Sequence, residues 1–271
     1  MDDIDRYLLE DLGKEGDVTS NTLFTNETAN AIIIAKEKCI VAGLEEINNV
    51  FKKTGASIEI LVKDGDLIKE KTVIAKIKGS AKSILKGERL ALNILGRMSG
   101  IATETNKLLN ICRKINPRIN IAATRKTTPG FRSFEKKAVI IGGGEPHRYG
   151  LYDAVMIKDN HLKLIGSIEK AIKIVKENVK NKIIEVEVEN EKDAFIAARL
   201  NVDVIMLDNF NPKSAETVAK KIKKINSNIL IEISGGINQD NITKYASFAG
   251  RISLGYLTHS IKSKDFSLEI Y

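Results

Sequence analysis

Three runs of residues near the middle of the chain combine side-chain types that bind small anions. Thr124-Arg125-Lys126-Thr127-Thr128-Pro129-Gly130 comes first, Gly142-Gly143-Gly144 with His147-Arg148 follows, and Lys158-Asp159-Asn160-His161 closes the region. Between Arg113 and Lys163 there are 11 Lys and Arg against 4 Asp and Glu, while the whole chain is only +8. Cations gathered in glycine-punctuated loops, rather than along helix faces, indicate a pocket for something small and strongly anionic. Further on, Glu185, Glu187 and Glu189 alternate with Val186 and Val188. A strand there puts three carboxylates on one face and the valines on the other. Carboxylates inside a helix-wrapped barrel are costly unless paired or bound to a metal. Arg125, Lys126 and Lys158 are the cations available to them, as an ion-pair network or around a divalent metal and a polyol.

The composition excludes several classes. With 271 residues, 43% hydrophobic and 29% charged, the chain reads as a soluble globular protein with room for one barrel or two domains. No apolar run approaches the roughly 20 residues that span a bilayer. Met1-Asp2-Asp3-Ile4-Asp5 lacks the basic region of a signal peptide, so the cytoplasm is the expected compartment. Cys39 and Cys112 stand apart with no companion spacing, which argues against zinc or a disulfide scaffold. A pI near 9.2 fits nucleic acid, membrane or small anions. Aromatic content of 5% with no Trp supplies few stacking platforms, and the other lysines fall on amphipathic helices. Neither nucleic acid nor membrane is an expected partner.

The elements that must position these residues divide the chain in two. Residues 1–105 read as an N-terminal α/β sandwich domain. It has a short helix over Met1–Glu10, a turn or cap at Gly16-Asp17-Val18-Thr19-Ser20, and β-like runs at Ala31–Ala35, Ser57–Val62 and Thr72–Lys78. Gly87–Cys112 is a long helical stretch with Ser99-Gly100 as a local break. Residues 106–271 read as a barrel domain, with the option that the last residues return to the first domain. Its strands are Ile119–Ala123, Asp153–Ile157, Ile183–Glu189, Asp203–Leu207, Ile229–Ile233 and Ile252–Leu254. Helices at Ser133–Ile141, Ser167–Asn178, Glu191–Leu200, Pro212–Ile225 and Gln239–Phe248 fall between them, the βα rhythm of a parallel sheet. An eight-stranded barrel takes about 250 residues. The stretch available here favours an incomplete, six-stranded α/β barrel.

Working residues of such barrels sit where strands end. All six strand ends here carry polar or glycine chemistry: Arg125-Lys126, Lys158-Asp159, the glutamates, Asp208-Asn209, Ser234-Gly235-Gly236 and Gly255. The glycines of the last two strands stand where barrels often hold a phosphate on backbone N–H groups. Among the histidines, His147 reads as functional, His161 as either functional or orienting its loop, and His259 as structural.

The motifs resemble one family over nearly the whole length. Gly16–Ser20, Glu88-Arg89-Leu90-Ala91-Leu92-Asn93, Thr124–Gly130, His147-Arg148, Lys158–His161, Glu185–Glu189, Leu207-Asp208-Asn209 and Ser234-Gly235-Gly236 occur in the order seen in quinolinate phosphoribosyltransferases. The resemblance implies a decarboxylating pentosyl transfer in NAD synthesis. Quinolinate and 5-phosphoribosyl-1-diphosphate would give nicotinate mononucleotide, diphosphate and CO₂, with Mg²⁺ as cofactor. It also implies a homodimer in which Arg89 completes the partner's site. Arg125, His147 and Arg148 would hold the pyridine carboxylates, and Lys126 and Lys158 the sugar phosphates and leaving diphosphate. Glu187 and Asp208 would engage ribose hydroxyls and Mg²⁺, and Ser234, Gly235, Gly236 and Gly255 the 5-phosphate. Lys126, Lys158, Glu187 and Asp208 are the catalytic set.

Two positions depart from the family pattern, and the second points to a runner-up. Ala122-Ala123 precede Thr124 where many members have an Asp, and Pro146 before His147 is shared with a paralogous group linked to molybdenum transport. That group lacks the Lys-Asp-Asn-His ending. A Schiff-base aldolase on the same barrel would use Lys158 as nucleophile, which Asp159 and the nearby glutamates oppose.

Overall fold

A computed structural model describes residues 2–271, which divide into two compact units. The first comprises residues 2–106, 128–143 and 260–271. It opens with helix α1 (Asp3–Leu12), capped by Asp2, and α2 (Val18–Leu23), where the Asp17 carboxylate accepts the Ser20 amide at 3.0 Å. Strands β1 (Thr28–Ala35) and β2 (Cys39–Ile40), helix α3 (Leu44–Thr54), strands β3 (Ser57–Ile60), β4 (Leu67–Ile68) and β5 (Val73–Ser80) follow. β1 pairs antiparallel with β5, and β5 with β3. The C-terminal strand Phe266–Ile270 adds to the free edge of β1. In β1, Ala31, Ile33 and Ala35 alternate into the core, and α3 buries Ile47, Val50 and Phe51.

Helix α4 (Ala81–Arg113) runs unbroken through Ser99-Gly100, unlike the local break expected from the sequence. The glycines have another cause. A Cβ at Gly96 would lie 2.6 Å from the Lys264 carbonyl oxygen, and one at Gly100 2.5 Å from that of Lys262. The returning C-terminal backbone presses on the helix there, and the Lys264 amide bonds the Gly96 carbonyl at 2.9 Å. Close approach, not a break, requires the missing side chains. Helix α5 (Arg132–Ile141) also clusters with this unit, whereas the sequence reading placed 106–271 as one barrel domain.

The second unit (residues 107–127 and 144–259) holds a six-stranded parallel sheet. Its strands are β6 (Asn120–Ala122), β7 (Val155–Ile157), β8 (Ile184–Val188), β9 (Val204–Asp208), β10 (Leu230–Ser234) and β11 (Arg251–Ser253). Their spatial order is β6-β11-β10-β9-β8-β7. This is the chain order of a six-stranded ring opened between β6 and β7, the incomplete barrel foreseen. Helices α6 (Asp159–Ile165), α7 (Ile168–Asn178), α8 (Glu191–Arg199), α9 (Pro212–Ile225) and α10 (Thr243–Ala246) lie between the strands, and α11 (Tyr256–His259) follows the last of them. Val186 and Val188 of β8 bury against the core shared with Ala171, Ile172, Ala194 and Ala198. The helix expected over Gln239–Phe248 shrinks to the four residues of α10, because Asn238 and Asn241 spend their side chains on turn hydrogen bonds.

Candidate active site

The strand ends of the second unit surround a cavity of about 700 Å³. Arg125, Lys126, His147, Arg148 and Lys158 line one part of it, and Glu187 and Asp208 another. Ser234, Gly235, Gly236 and Gly255 complete the wall. Eleven of the twelve site residues named from the sequence thus converge. The twelfth, Arg89, belongs to the first unit. It lines a separate cavity there with Tyr7, Asn93 and Arg97 among others, and its side chain is 65% exposed.

Parallel register explains the convergence of the acidic pair. Val188 of β8 stands opposite Leu207 of β9, so Glu187 and Asp208 come from adjacent strand ends. Asp208 in turn stands opposite Ser234 of β10. The Lys158 ammonium reaches across to the Glu187 carboxylate. Burial lifts Asp208 above the ordinary carboxylate range, against the Ser234 hydrogen bond and the charge of Lys158. Arg148 is shifted down, by burial and then by the neighbouring charge of Arg125. The buried Nε of Arg125 has no hydrogen-bond partner. Two guanidinium groups this close, one with an unused donor, are suited to a ligand carrying carboxylates.

Asn209 Nδ2 donates to Asp208 at 2.6 Å, and its backbone N–H donates to the Ser234 carbonyl at 3.0 Å. A Cβ on Gly235 would lie 2.3 Å from Asn209 Oδ1, and Gly235 has φ +88°, so no other residue fits. Lys126 is fixed through its backbone, whose carbonyl accepts the Thr258 hydroxyl at 2.7 Å. The next part of the same motif is held by the first unit. Glu135, fully buried and paired with Arg97 at 2.7 Å, accepts the Thr128 amide at 3.0 Å and its hydroxyl at 2.9 Å.

The three inward-facing glutamates separate in role. Glu187 alone lines the cavity and pairs with Lys158, as expected. Glu189 is exposed. Glu185 is buried and pairs with His147 and Arg251, not with Arg125, Lys126 or Lys158. The sequence reading missed Glu232 and Arg251. Glu232 shares the inward face of β10 with Ser234 by the same period of two that exposed the glutamates of β8. His161 accepts the Lys158 amide on Nδ1 at 3.0 Å and orients the loop. His259, expected to be structural, also lines the cavity.

The comparisons with known proteins follow this geometry. Residues 17–99 match the quinolinate phosphoribosyl transferase N-terminal domain, and residues 101–269 match the C-terminal domain. The chain belongs to the quinolinate phosphoribosyltransferase family. It is 42% identical to a probable nicotinate-nucleotide pyrophosphorylase [carboxylating] of Archaeoglobus fulgidus, over 94% of this chain and 98% of that protein. It is 36% identical to the rat nicotinate-nucleotide pyrophosphorylase [carboxylating], over 90% and 82%. Its fold superposes on the nicotinate-nucleotide pyrophosphorylase of Francisella tularensis with a TM-score of 0.92 at 34% identity, covering 99% and 94% of the two chains. Among the described residues no helix is long and apolar enough to cross a membrane.

Proposed function

We infer that the chain is a decarboxylating quinolinate phosphoribosyltransferase acting in NAD biosynthesis. The observation that carries this reading is one cavity holding Arg125, Lys126, Arg148 and Lys158 beside Glu187 and Asp208. Two anionic substrates need the cations, and a ribose with its metal needs the carboxylates. An aldolase reading needs a free Lys158 amine, and here that group is ion-paired to Glu187.

Arg125 and Arg148 grip the pyridine carboxylates and aim the ring nitrogen at the anomeric carbon of the sugar. The bond from that carbon to diphosphate breaks with its electron pair on the diphosphate, where Lys126 and Lys158 offset the charge. The ring nitrogen supplies the pair for the new bond, while Glu187 and Asp208 face the electron-poor ribose. The carboxylate beside the pyridinium nitrogen then departs as CO₂. Its bonding pair falls to the ring carbon, and a proton from solvent completes nicotinate mononucleotide. Catalysis on this account is positioning and electrostatics.

Glu187 and Asp208 offer the oxygen-only donor set that suits Mg²⁺ held jointly with substrate phosphates. Bound there, Mg²⁺ would neutralise charge on the leaving diphosphate. Gly235 and Gly236, both with positive φ, turn their backbone toward the 5-phosphate. The exposed Arg89 is the group offered to a second copy of the chain, giving a homodimer. The cytoplasm is the compartment of this reading.

Nicotinate, which lacks the carboxylate beside the ring nitrogen, tests the acceptor assignment. A site built for two carboxylates leaves buried cations unpaired when one is missing, so kcat/KM should fall by about 10⁴-fold or more relative to quinolinate. Diphosphate release would be followed with each acceptor. Equal turnover of the two acids would overturn the reading.

A further inference from the structure

We propose that Glu185, Glu232 and Arg251 are positioning residues for the acceptor acid, a buried ion network that fixes His147 and, through its backbone, the aim of Arg148. The proposal rests on the functional reading above and deepens it. Glu232 is fully buried and Glu185 is 2% exposed, and neither lines the cavity. Two carboxylates kept out of water are expensive, and apolar residues of the same size would hold a fold as well. Their value must lie in what they hold.

They hold an imidazole at a strained position. His147 has φ +54°, the left-handed region that non-glycine residues seldom occupy. Nδ1 is tied by a hydrogen bond, and Nε2 faces two carboxylates. Nδ1 accepts the Arg148 amide at 2.8 Å, and Nε2 stands 3.2 Å from Glu185 Oε2 and 3.3 Å from Glu232 Oε1. Arg251, opposite Glu232 across the β10–β11 pair, binds Glu232 through Nε and approaches Glu185 at 3.6 Å and Glu145 at 3.3 Å. Glu145 is further tied to Asn120, and its amide bonds the Ile121 carbonyl at 2.8 Å. The loop that ends in His147-Arg148 is therefore locked to β6, β8, β10 and β11.

Arg148 needs that lock. Among the described residues its guanidinium has only a 3.4 Å contact to the Ala154 carbonyl and a 3.2 Å contact to Met156 Sδ. Its direction is set by the backbone at 147–148 more than by its own side-chain bonds. The tautomer of His147 is part of the device. Burial pushes its pKa down and the two glutamates push it up past burial, while the Arg148 amide aimed at Nδ1 opposes them. A second proton would sit on Nδ1, where the Arg148 amide already donates. That direct 2.8 Å bond decides the matter: the ring is neutral, with its hydrogen on Nε2 between the carboxylates. His147, Glu185 and Glu232 also lie within range of a shared metal ion, with ligand atoms inside 4.8 Å. The guanidinium of Arg251 against both carboxylates opposes a second cation there.

Glu232→Gln keeps the shape and removes the charge. Its KM for quinolinate should rise by about 10–100-fold while KM for 5-phosphoribosyl-1-diphosphate stays within twofold. A purely structural role would lower the melting temperature and affect both substrates alike. An unchanged quinolinate KM, or equal rises in both constants, would overturn the proposal. Should the variant fail to fold, ¹⁵N-imidazole spectra of the wild-type protein decide instead. At pH 7 His147 should show one protonated and one bare ring nitrogen, and two protonated nitrogens would sink it. A wild-type protein that turns over no quinolinate would fail the functional reading, which is a separate result.

Discussion

Arg148→Ala is expected to leave a folded protein that has lost nearly all quinolinate turnover. The Arg148 side chain spans from the 147–148 backbone toward the Ala154 carbonyl and Met156, and among the described residues it is ion-paired to no carboxylate. Removing it strands no protein charge, so the fold should survive. It does strand a substrate carboxylate in a partly desolvated cavity. Truncating one partner of such a pair costs about 2–5 kcal/mol, or roughly 30- to 5000-fold in kcat/KM. Arg125→Ala should behave alike, because its buried Nε has no partner in the protein to lose. Steady-state kinetics with circular dichroism would check both. Retained activity in both variants would remove the pyridine carboxylates from this part of the cavity.

Lys158→Met should cost more in kcat than in KM. Lys158 sits at the end of β7, held by the turn in which His161 accepts its amide, and pairs across with Glu187 on β8. Charge that develops on departing diphosphate is met there by a preorganised ammonium, and loss of one such donor costs about 10²–10³ in kcat. The substitution also frees Glu187, leaving an anion where the leaving group needs a cation. Glu187→Gln in the same background should recover nothing, because that carboxylate has its own task at the ribose. A rise in KM alone would mean that Lys158 holds ground-state substrate rather than the transition state.

Much of this was legible in the sequence because the barrel obeys simple periods. Six strands at regular spacing and polar strand ends are local signals, and each strand lay within three residues of its expected bounds. Nine of the eleven converging site residues follow from the rule that barrels work at their strand ends, and His147 and Arg148 from their glycine-rich loop. What was not legible depends on contacts distant in the chain. The glycines of α4 looked like a break, yet they admit the backbone of residues 262–264, which no window around Gly100 contains. The grouping of α5 with the first unit rests on long-range pairs such as Glu135 with Arg97. Glu232 was within reach, since it alternates with Ile231 and Ile233. Its signal is weaker, because a single acidic residue in an apolar strand lacks the repeat that marks the three of β8. Arg251 required knowing that β11 lies beside β10. The partner of Glu185 depends on that pairing, which no local pattern encodes.

The departure at Glu145-Pro146 also acquires a physical role. Glu145 extends the edge of β6 through a parallel bridge to Ala122 and pairs with Arg251. The segment that differs from the commoner family pattern therefore joins the network under His147 rather than disturbing the cavity.

Release of labelled CO₂ from quinolinate labelled in the carboxyl beside the ring nitrogen is the most direct test. With protein, 5-phosphoribosyl-1-diphosphate and Mg²⁺ present, CO₂, diphosphate and nicotinate mononucleotide should appear in equal amounts, and leaving out any one component should stop all three. Label release without the sugar diphosphate, or none with every component present, would contradict the account.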